Sequence, residues 1–197
     1  MAITNGYITL ANFKEYAIPM SAGTNAEDDA LIEILIEGVS RYIDGATGRR
    51  FYRATETHYF DVPGGRELIF DDDLISVTTL KNGNAAEIAS TEYNLLPKNK
   101  TPYYGLKLKE SSSVAWYPDN SNNYEYVISL LGSWGYAATA PKDIELATYE
   151  IAKSAYHRRK GENIDAVARA TAAGVLITPR DISSFAASII SKYRKMI

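Results

Sequence analysis

The chain contains no cysteine and only two histidines in 197 residues. Without thiols there is no disulfide framework and no thiolate metal site, which fits a reducing compartment. His58 and His157 do not stand in HExxH or any other recognisable metal-binding spacing. Positive charge is not in excess: 21 basic residues face 24 acidic ones, for a net charge of -3. A general nucleic-acid binder would usually be basic. No apolar stretch approaches the roughly 20 residues of a membrane span. The opening MAITNGYITL lacks the basic region and apolar run of a secretory signal. Phosphate-binding loops are missing too. Gly64 and Gly65 lack the lysine and helix of a P-loop, and there is no GxGxxG. Gly132, Ser133, Trp134 and Gly135 have the wrong spacing for a nucleophile elbow.

The most informative segment that is present spans residues 25–52. Leu31, Ile34, Leu35, Val39, Tyr42, Ile43 and Ala46 follow helical spacing, so one long amphipathic helix is expected. Asn25 is a candidate cap, and Glu27, Asp28 and Asp29 place negative charge at the positive end of the helix dipole. Gly48 is the expected left-handed C′ residue. Ile32 and Ile36 flank the main stripe and widen the apolar surface. That width suits either a helix central to its own core or one packed against a neighbouring subunit.

The remaining chain divides by pattern. A short helix is expected over residues 10–16 with Thr9 as cap, then a polar link over residues 19–24. Residues 55–62 alternate as a strand, Pro63, Gly64 and Gly65 make a turn, and residues 66–70 are expected to pair back as a hairpin. Further strands are expected at residues 75–80, 93–96, 106–108 and 124–131, with a turn at Asn82 and Gly83 and a polar loop over residues 118–123. Helical sequence returns at Pro141, with Ile144, Ala147, Ile151 and Ala155 on one face. Residues 162–177 read as a flexible or extended arm. A last helix is expected to start near Thr178 and Pro179, with Asp181 placed for a reciprocal cap and Ile182, Phe185, Ile189, Ile190 and Tyr193 as its apolar stripe. The expected class is α+β: a scaffold of about four helices with an antiparallel β insertion. The expected divisions are residues 1–52 (helical), 53–135 (β region), 136–161 (third helix) and 162–197 (arm and last helix).

Chemistry is hard to find. Asp71, Asp72 and Asp73 read as a solvated turn rather than a cation site, since adjacent carboxylates cannot all point inward. His157, in a basic helix end, suits a dipole and solvent role. Basic clusters at Arg49, Arg50 and Arg53, at residues 157–160 and at residues 192–195 could touch phosphate, but two of them lie at helix C-termini where positive charge is favourable anyway. The 15 tyrosines suit either interfaces or β structure.

Several stretches carry a resemblance. Asp29, Leu31, Ile36, Ser40, Ile43, Asp44, Thr47, Gly48, Arg49 and Phe51, in that spacing, resemble the opening helix of tailed-phage head–tail connector proteins. These are head-completion or adaptor proteins, here of the gp6/gp15-like kind. Residues 74–78 with Asn82 and Gly83 resemble a hairpin of that family, and residues 93–97 its next strand. Gly132, Trp134, Gly135, Tyr136, Ala137, Pro141, Ile144 and Ala147 resemble its join from sheet to helix, and residues 190–194 a common ending. The resemblance covers about residues 27–160 and the tail, and departs in the long β region and at residues 162–177.

The resemblance implies a structural protein with no active site and no cofactor. Such proteins form a ring, usually of twelve copies, docked on the portal, which extends the DNA channel and meets the next head-closure or tail protein. DNA would pass without sequence-specific binding, and no membrane is involved. The implied location is the virion head–tail junction, after assembly in the host cytoplasm. Interface candidates are Ile32, Ile36, Arg49, Arg50, Ile182, Phe185, Ile189, Ile190 and Tyr193. The alternatives are a tyrosine-rich module binding carbohydrate or protein, motivated by Trp116, Tyr117, Trp134 and Tyr136, and a hydrolase with a dispersed carboxylate site.

Overall fold

The computed structural model describes residues 3–17, 26–159, 166–171, 174–179 and 182–195. The fold is α+β and forms two compact units, one of residues 1–49 with 140–197, the other of residues 50–139.

The first unit is helical. Helix α1 spans Leu10–Ala17, and its first turn is capped by Thr9, whose Oγ1 accepts from the Asn12 amide at 3.2 Å. A 3-10 turn, Ala26–Asp28, leads into α2, Asp29–Thr47. Gly48 ends α2 in the left-handed region (φ 65°), its amide donating to the Asp44 carbonyl at 2.8 Å. The proposed Asn25 cap and the polar link lie outside the described residues. Helix α3, Lys142–Arg159, follows Pro141, whose carbonyl accepts from the Glu145 amide.

The inward face of α2 differs from the expected stripe. Ile32, Ile36, Val39, Ser40, Ile43 and Thr47 are buried, whereas Ile34 is 59% and Tyr42 48% exposed. Two apolar arcs compete on this helix, and tertiary packing selects the one that small polar residues can also enter. Ser40 Oγ donates to the Ile36 carbonyl and accepts from the Tyr7 amide, and Thr47 Oγ1 donates to the Ile43 carbonyl. Both hydroxyls are satisfied, so their burial carries no desolvation penalty. On α3, Ile144, Ala147, Thr148, Ile151, Ala152 and Tyr156 are buried, with Ala152 and Tyr156 taking the place expected of Ala155. His157 is buried rather than solvated, with Nε2 3.3 Å from the Ala17 carbonyl.

The C-terminal part also departs from expectation. Ala166–Thr171 (β6) and Gly174–Pro179 (β7) pair as an antiparallel hairpin where an arm was expected. Thr178 and Pro179 therefore belong to a strand. The last helix, α4, begins later, spans Ser184–Tyr193, and is capped by Ser183, whose side chain accepts from the Ala186 amide at 3.1 Å. Asp181 lies outside the described residues.

The second unit is an antiparallel five-stranded sheet ordered β1-β5-β2-β4-β3, from β1 (Ala54–Phe60), β2 (Glu67–Lys81), β3 (Tyr93–Leu96), β4 (Tyr103–Leu108) and β5 (Ile128–Trp134). The expected β1–β2 hairpin does not form: β5 lies between them and pairs with both. The strands expected at 66–70 and 75–80 are one strand of 15 residues. Asp71, Asp72 and Asp73 are within it, at the register shift where β2 changes partner from β4 to β5. Consecutive burial of Asp73 and Leu74 marks the break in alternation. The strand expected at 124–131 begins at Ile128. The core gathers Phe60, Phe70, Leu74, Leu106, Leu130 and Trp134.

Candidate assembly surfaces

The helical unit uses its charged wedge internally. Glu33, Glu37, Arg41 and Asp44 share one edge of α2 at helical spacing. Glu37 accepts from the Asn5 amide at 3.3 Å, and Arg41 donates to the Asn5 carbonyl at 3.1 Å. Arg41 also pairs with Asp44 at 2.9 Å and lies over the Tyr7 ring, whose hydroxyl donates to Asp44. These contacts lash the segment before α1 to α2. On the opposite side, Tyr16 donates to Glu150, and burial followed by that carboxylate pushes the Tyr16 hydroxyl up to about 12.

The last helix is tied down at its C-terminal end. Tyr193 Oη donates to Asp143 at 2.7 Å, and the Lys192 ammonium reaches the same carboxylate at 2.9 Å. Burial disfavours the Asp143 anion, but Lys192 and Tyr193 outweigh it and hold the carboxyl below its ordinary range. Arg49 Nε donates to the Tyr193 carbonyl at 2.8 Å, and the Lys195 amide donates to the Thr47 carbonyl at 2.7 Å. Both carbonyls lie at helix ends, where the intrahelical donors have run out.

The sheet unit concentrates charge around Arg50 and His58. Arg50 makes a two-pronged pair with Glu56, both contacts at 3.0 Å, and reaches Asp72 at 2.9 Å. Burial would lower the Arg50 pKa, but Glu56 and Asp72 outweigh it and the guanidinium is held more firmly protonated than usual. Its hydrogen bond in turn holds Glu56 below the ordinary carboxylate range. His58 stacks on Trp134 and lies 3.1 Å from Asp71 and 3.5 Å from Glu56. The aspartate cluster is therefore an ion-pairing strand segment. Among the described residues, no three His, Asp or Glu side chains converge to hold a metal ion.

These contacts sort the candidate residues. Ile32 and Ile36 are fully enclosed in their own unit, and Ile189 and Ile190 are buried. Arg49 and Tyr193 are hydrogen-bonded within the helical unit, and Arg50 within the sheet unit. Ile182 is half-buried, and Phe185 is 53% exposed. The structure does not bring the nine residues together on one surface within either unit. Sequence reasoning did not single out Ile34 and Tyr42 as surface residues, although the Glu33, Glu37, Arg41 and Asp44 edge separates their arc from the buried one. Of the aromatics that suggested carbohydrate binding, Trp134 is fully buried and its Nε1 donates to the Glu56 carbonyl at 3.0 Å. Tyr136 packs against Phe51, with ring centroids 5.3 Å apart. Among the described residues, the carboxyls with displaced acidity, Glu56 and Asp143, are both held ionised by cations, the opposite of what a general acid needs.

No protein-family model matches the chain, and no curated protein matches it. Solved structures do. A chain from the neck of an empty gene transfer agent particle, with C6 symmetry, matches at TM-score 0.58 and 16% identity, over 100% of this chain and 94% of that one. A chain from the neck of a native particle, with C12 symmetry, matches at TM-score 0.59 and 14% identity, over 100% and 93%. A chain from the virion of a native gene transfer agent particle matches at TM-score 0.54 and 17% identity, over 100% and 94%. At these identities the likeness is one of fold: both units of this chain, in this order, have the fold of chains found in particle necks.

Proposed function

We propose that this protein is a structural connector at the head–tail junction of a tailed phage or phage-like particle. It forms a homo-oligomeric ring, of twelve copies as in the C12 neck, which docks beneath the portal and extends the DNA channel. Its far side receives the next head-closure or tail protein, as in adaptors of the gp6/gp15-like kind. It acts without catalysis, cofactor or membrane, and assembles in the host cytoplasm before residing in the virion.

The observation that carries this reading is the end-to-end fold likeness to neck chains, which leaves no part of this chain unmatched. Two features support it. Among the described residues, Arg41, Arg50 and Lys192 pair with carboxylates of their own unit, which suits a scaffold. The net charge of -3 also disfavours tight retention of DNA, which a channel wall must let pass.

The test is electron microscopy of the purified protein at high concentration, alone and mixed with candidate portal assemblies. Closed rings, free or stacked coaxially on a portal, are the expected result. A protein that stays monomeric in both conditions and has no portal affinity overturns the reading.

A further inference from the structure

The sheet unit, all of whose residues are described, leaves a gap in its own strand pairing. β4 follows β2 only as far as the pair of Leu74 with Tyr103, whereas β5 follows it to Lys81. Beyond Leu74, Ile75, Ser76 and Val77 therefore have no β4 partner. A cavity of about 390 Å³ stands at this point, lined by those three residues, by Tyr103 and by residues in and beside β3. That volume is in the range of sites that enclose a small ligand or a side chain. Ile75, Val77 and Leu95 make part of the lining apolar. Its polar groups are idle: among the described residues, the side chains of Ser76, Ser90, Asn94 and Lys98 make no hydrogen bond or ion pair. Lys98 is exposed and is the only charged residue of the lining. In the loop before β3, Glu92 is taken by Ser112. Burial and then Glu87 push the Tyr93 hydroxyl up, but Glu87 does not pair with Lys98.

The loop before β5 has the opposite character. From Glu110 to Pro141 the chain carries Glu110, Asp119 and Glu125 and no base. Tyr117, Tyr124 and Tyr126 stand on this loop, 49%, 52% and 71% exposed. Side chains brace it. Asn82 donates to the Ala115 carbonyl at 2.7 Å and accepts from the Tyr117 amide at 2.8 Å. Asp119 accepts from the Ser121 and Asn123 amides at 2.8 and 2.9 Å. Asp61 accepts from the Tyr126 amide at 2.9 Å. Tyr126 is held at φ 54°, which a bulky residue seldom adopts. Among the described residues, the three tyrosine hydroxyls and the Glu125 carboxylate have no partner. Tyrosines presented in this way offer a large contact area at low cost in conformational entropy.

We propose that the cavity beside Lys98 receives Tyr126 from a second copy of this chain, whose Glu125 pairs with Lys98. Charge and shape select this occupant. One patch is a recess with a lone, unpaired cation; the other is a projecting ring next to an unpaired acid. The loop does not line the cavity of its own copy. It is fastened just beyond β1, through the Val62 amide on the Tyr124 carbonyl and through Asp61, whereas β2, β3 and β4 line the cavity. Two different patches meeting head to tail generate a closed ring or an open filament, whereas one patch meeting itself stops at a dimer. The proposal rests on the connector reading above and assigns its subunit contact.

Charge reversal tests the contact. Lys98→Glu and Glu125→Lys change exposed side chains that have no partner within the chain, so both should melt at the parent's temperature. They are compared by electron microscopy under the conditions in which the parent forms rings, alone or on a portal. Each single variant is expected to need about tenfold more protein, or above, for the same yield of rings. The double variant, with the pair restored in reverse, is expected to assemble like the parent. Single variants that form rings as the parent does would overturn this contact and leave the connector reading standing. So would a double variant that fails like the single ones. A parent that forms no rings in any condition removes both. A further variant, Tyr126→Gly, deletes the side chain and suits the positive φ. It is expected to keep the parent's melting temperature and lose the rings; a variant that keeps both refutes the proposal.

Discussion

The imidazole of His58 lies flat on the indole of Trp134, ring centroids 3.8 Å apart and planes 12° apart, and so covers one face of the largest fully buried side chain. Phe70 meets the same indole edge-on at 5.5 Å, and Phe60 lies 6.3 Å away. The end of β5 is thereby locked to β1 and β2 through aromatic contacts as well as the hydrogen-bond ladder.

Trp134→Ala should therefore be among the most damaging substitutions in the sheet unit. It empties a packed site and removes the donor to the Glu56 carbonyl, and a loss of about 3–5 kcal/mol is expected. Urea unfolding followed by circular dichroism measures it. A loss below about 1 kcal/mol would mean that the indole does not organise the core.

Gly135 follows at φ 130°, a conformation side chains rarely adopt, and an added Cβ would lie 2.3 Å from the Tyr52 carbonyl oxygen. Its amide donates to the Asp73 carbonyl at 2.7 Å, so the backbone cannot swing away without breaking that bond. Gly135→Ala is expected to cost at least about 1–3 kcal/mol. A thermal melt unchanged from the parent would contradict this.

Arg50 is committed to Glu56 and Asp72, which makes its role structural. Arg50→Lys keeps the charge but loses the planar fork, and should destabilise the protein by about 1.5–3 kcal/mol. Fluorescence anisotropy with duplex DNA should show the same weak affinity for the variant and the parent. A clear drop in DNA binding with unchanged stability would reassign Arg50 to a phosphate contact.

Asp143 links stability to pH. Its carboxyl is held below the ordinary value of 3.8, so the folded form binds its proton less readily than the unfolded chain. Its stabilisation is present above about pH 4 and is lost as pH falls through the lower folded-state value. Asp143→Asn should remove a few tenths to about 1 kcal/mol at neutral pH, a modest amount because the pair with Lys192 is partly exposed and screened. Parent and variant should converge in acid. A gap that stays constant from pH 7 to pH 3 would exclude the ionic origin.

The elements whose signals are local were legible in the sequence. Thr9, Gly48 and Pro141 act through the backbone of their own turn, and each marks its helix end as expected. What failed depended on partners distant in the chain. Asp71, Asp72 and Asp73 have turn composition, yet lie in a strand, where Asp72 pairs with Arg50 and Asp71 lies 3.1 Å from the His58 ring. Alternation also cannot tell which strand lies beside β1, and β5, some 70 residues later, takes that place. On α2 both arcs were visible as apolar residues. The arc that faces inward is the one holding the fully enclosed Ile32 and Ile36, and on that side the Tyr7 amide donates to Ser40. For the interface candidates the same ambiguity applied: Ile32 and Ile36 are as apolar as Ile34, and only the fold separates them.

The helical unit is discontinuous, and this sets an order during synthesis. Helix α2 ends at Thr47, whereas α3 does not begin until Lys142, about 95 residues later. At roughly 5–20 residues per second, that interval lasts about 5–20 s. Throughout it Ile32, Ile36 and Ile43 lack α3 and α4, and all five strands of the sheet are synthesised before α3 begins. The sheet can thus mature first, and the helical half, with both arcs of α2 still uncovered, is the part of the nascent chain most in need of protection from premature association.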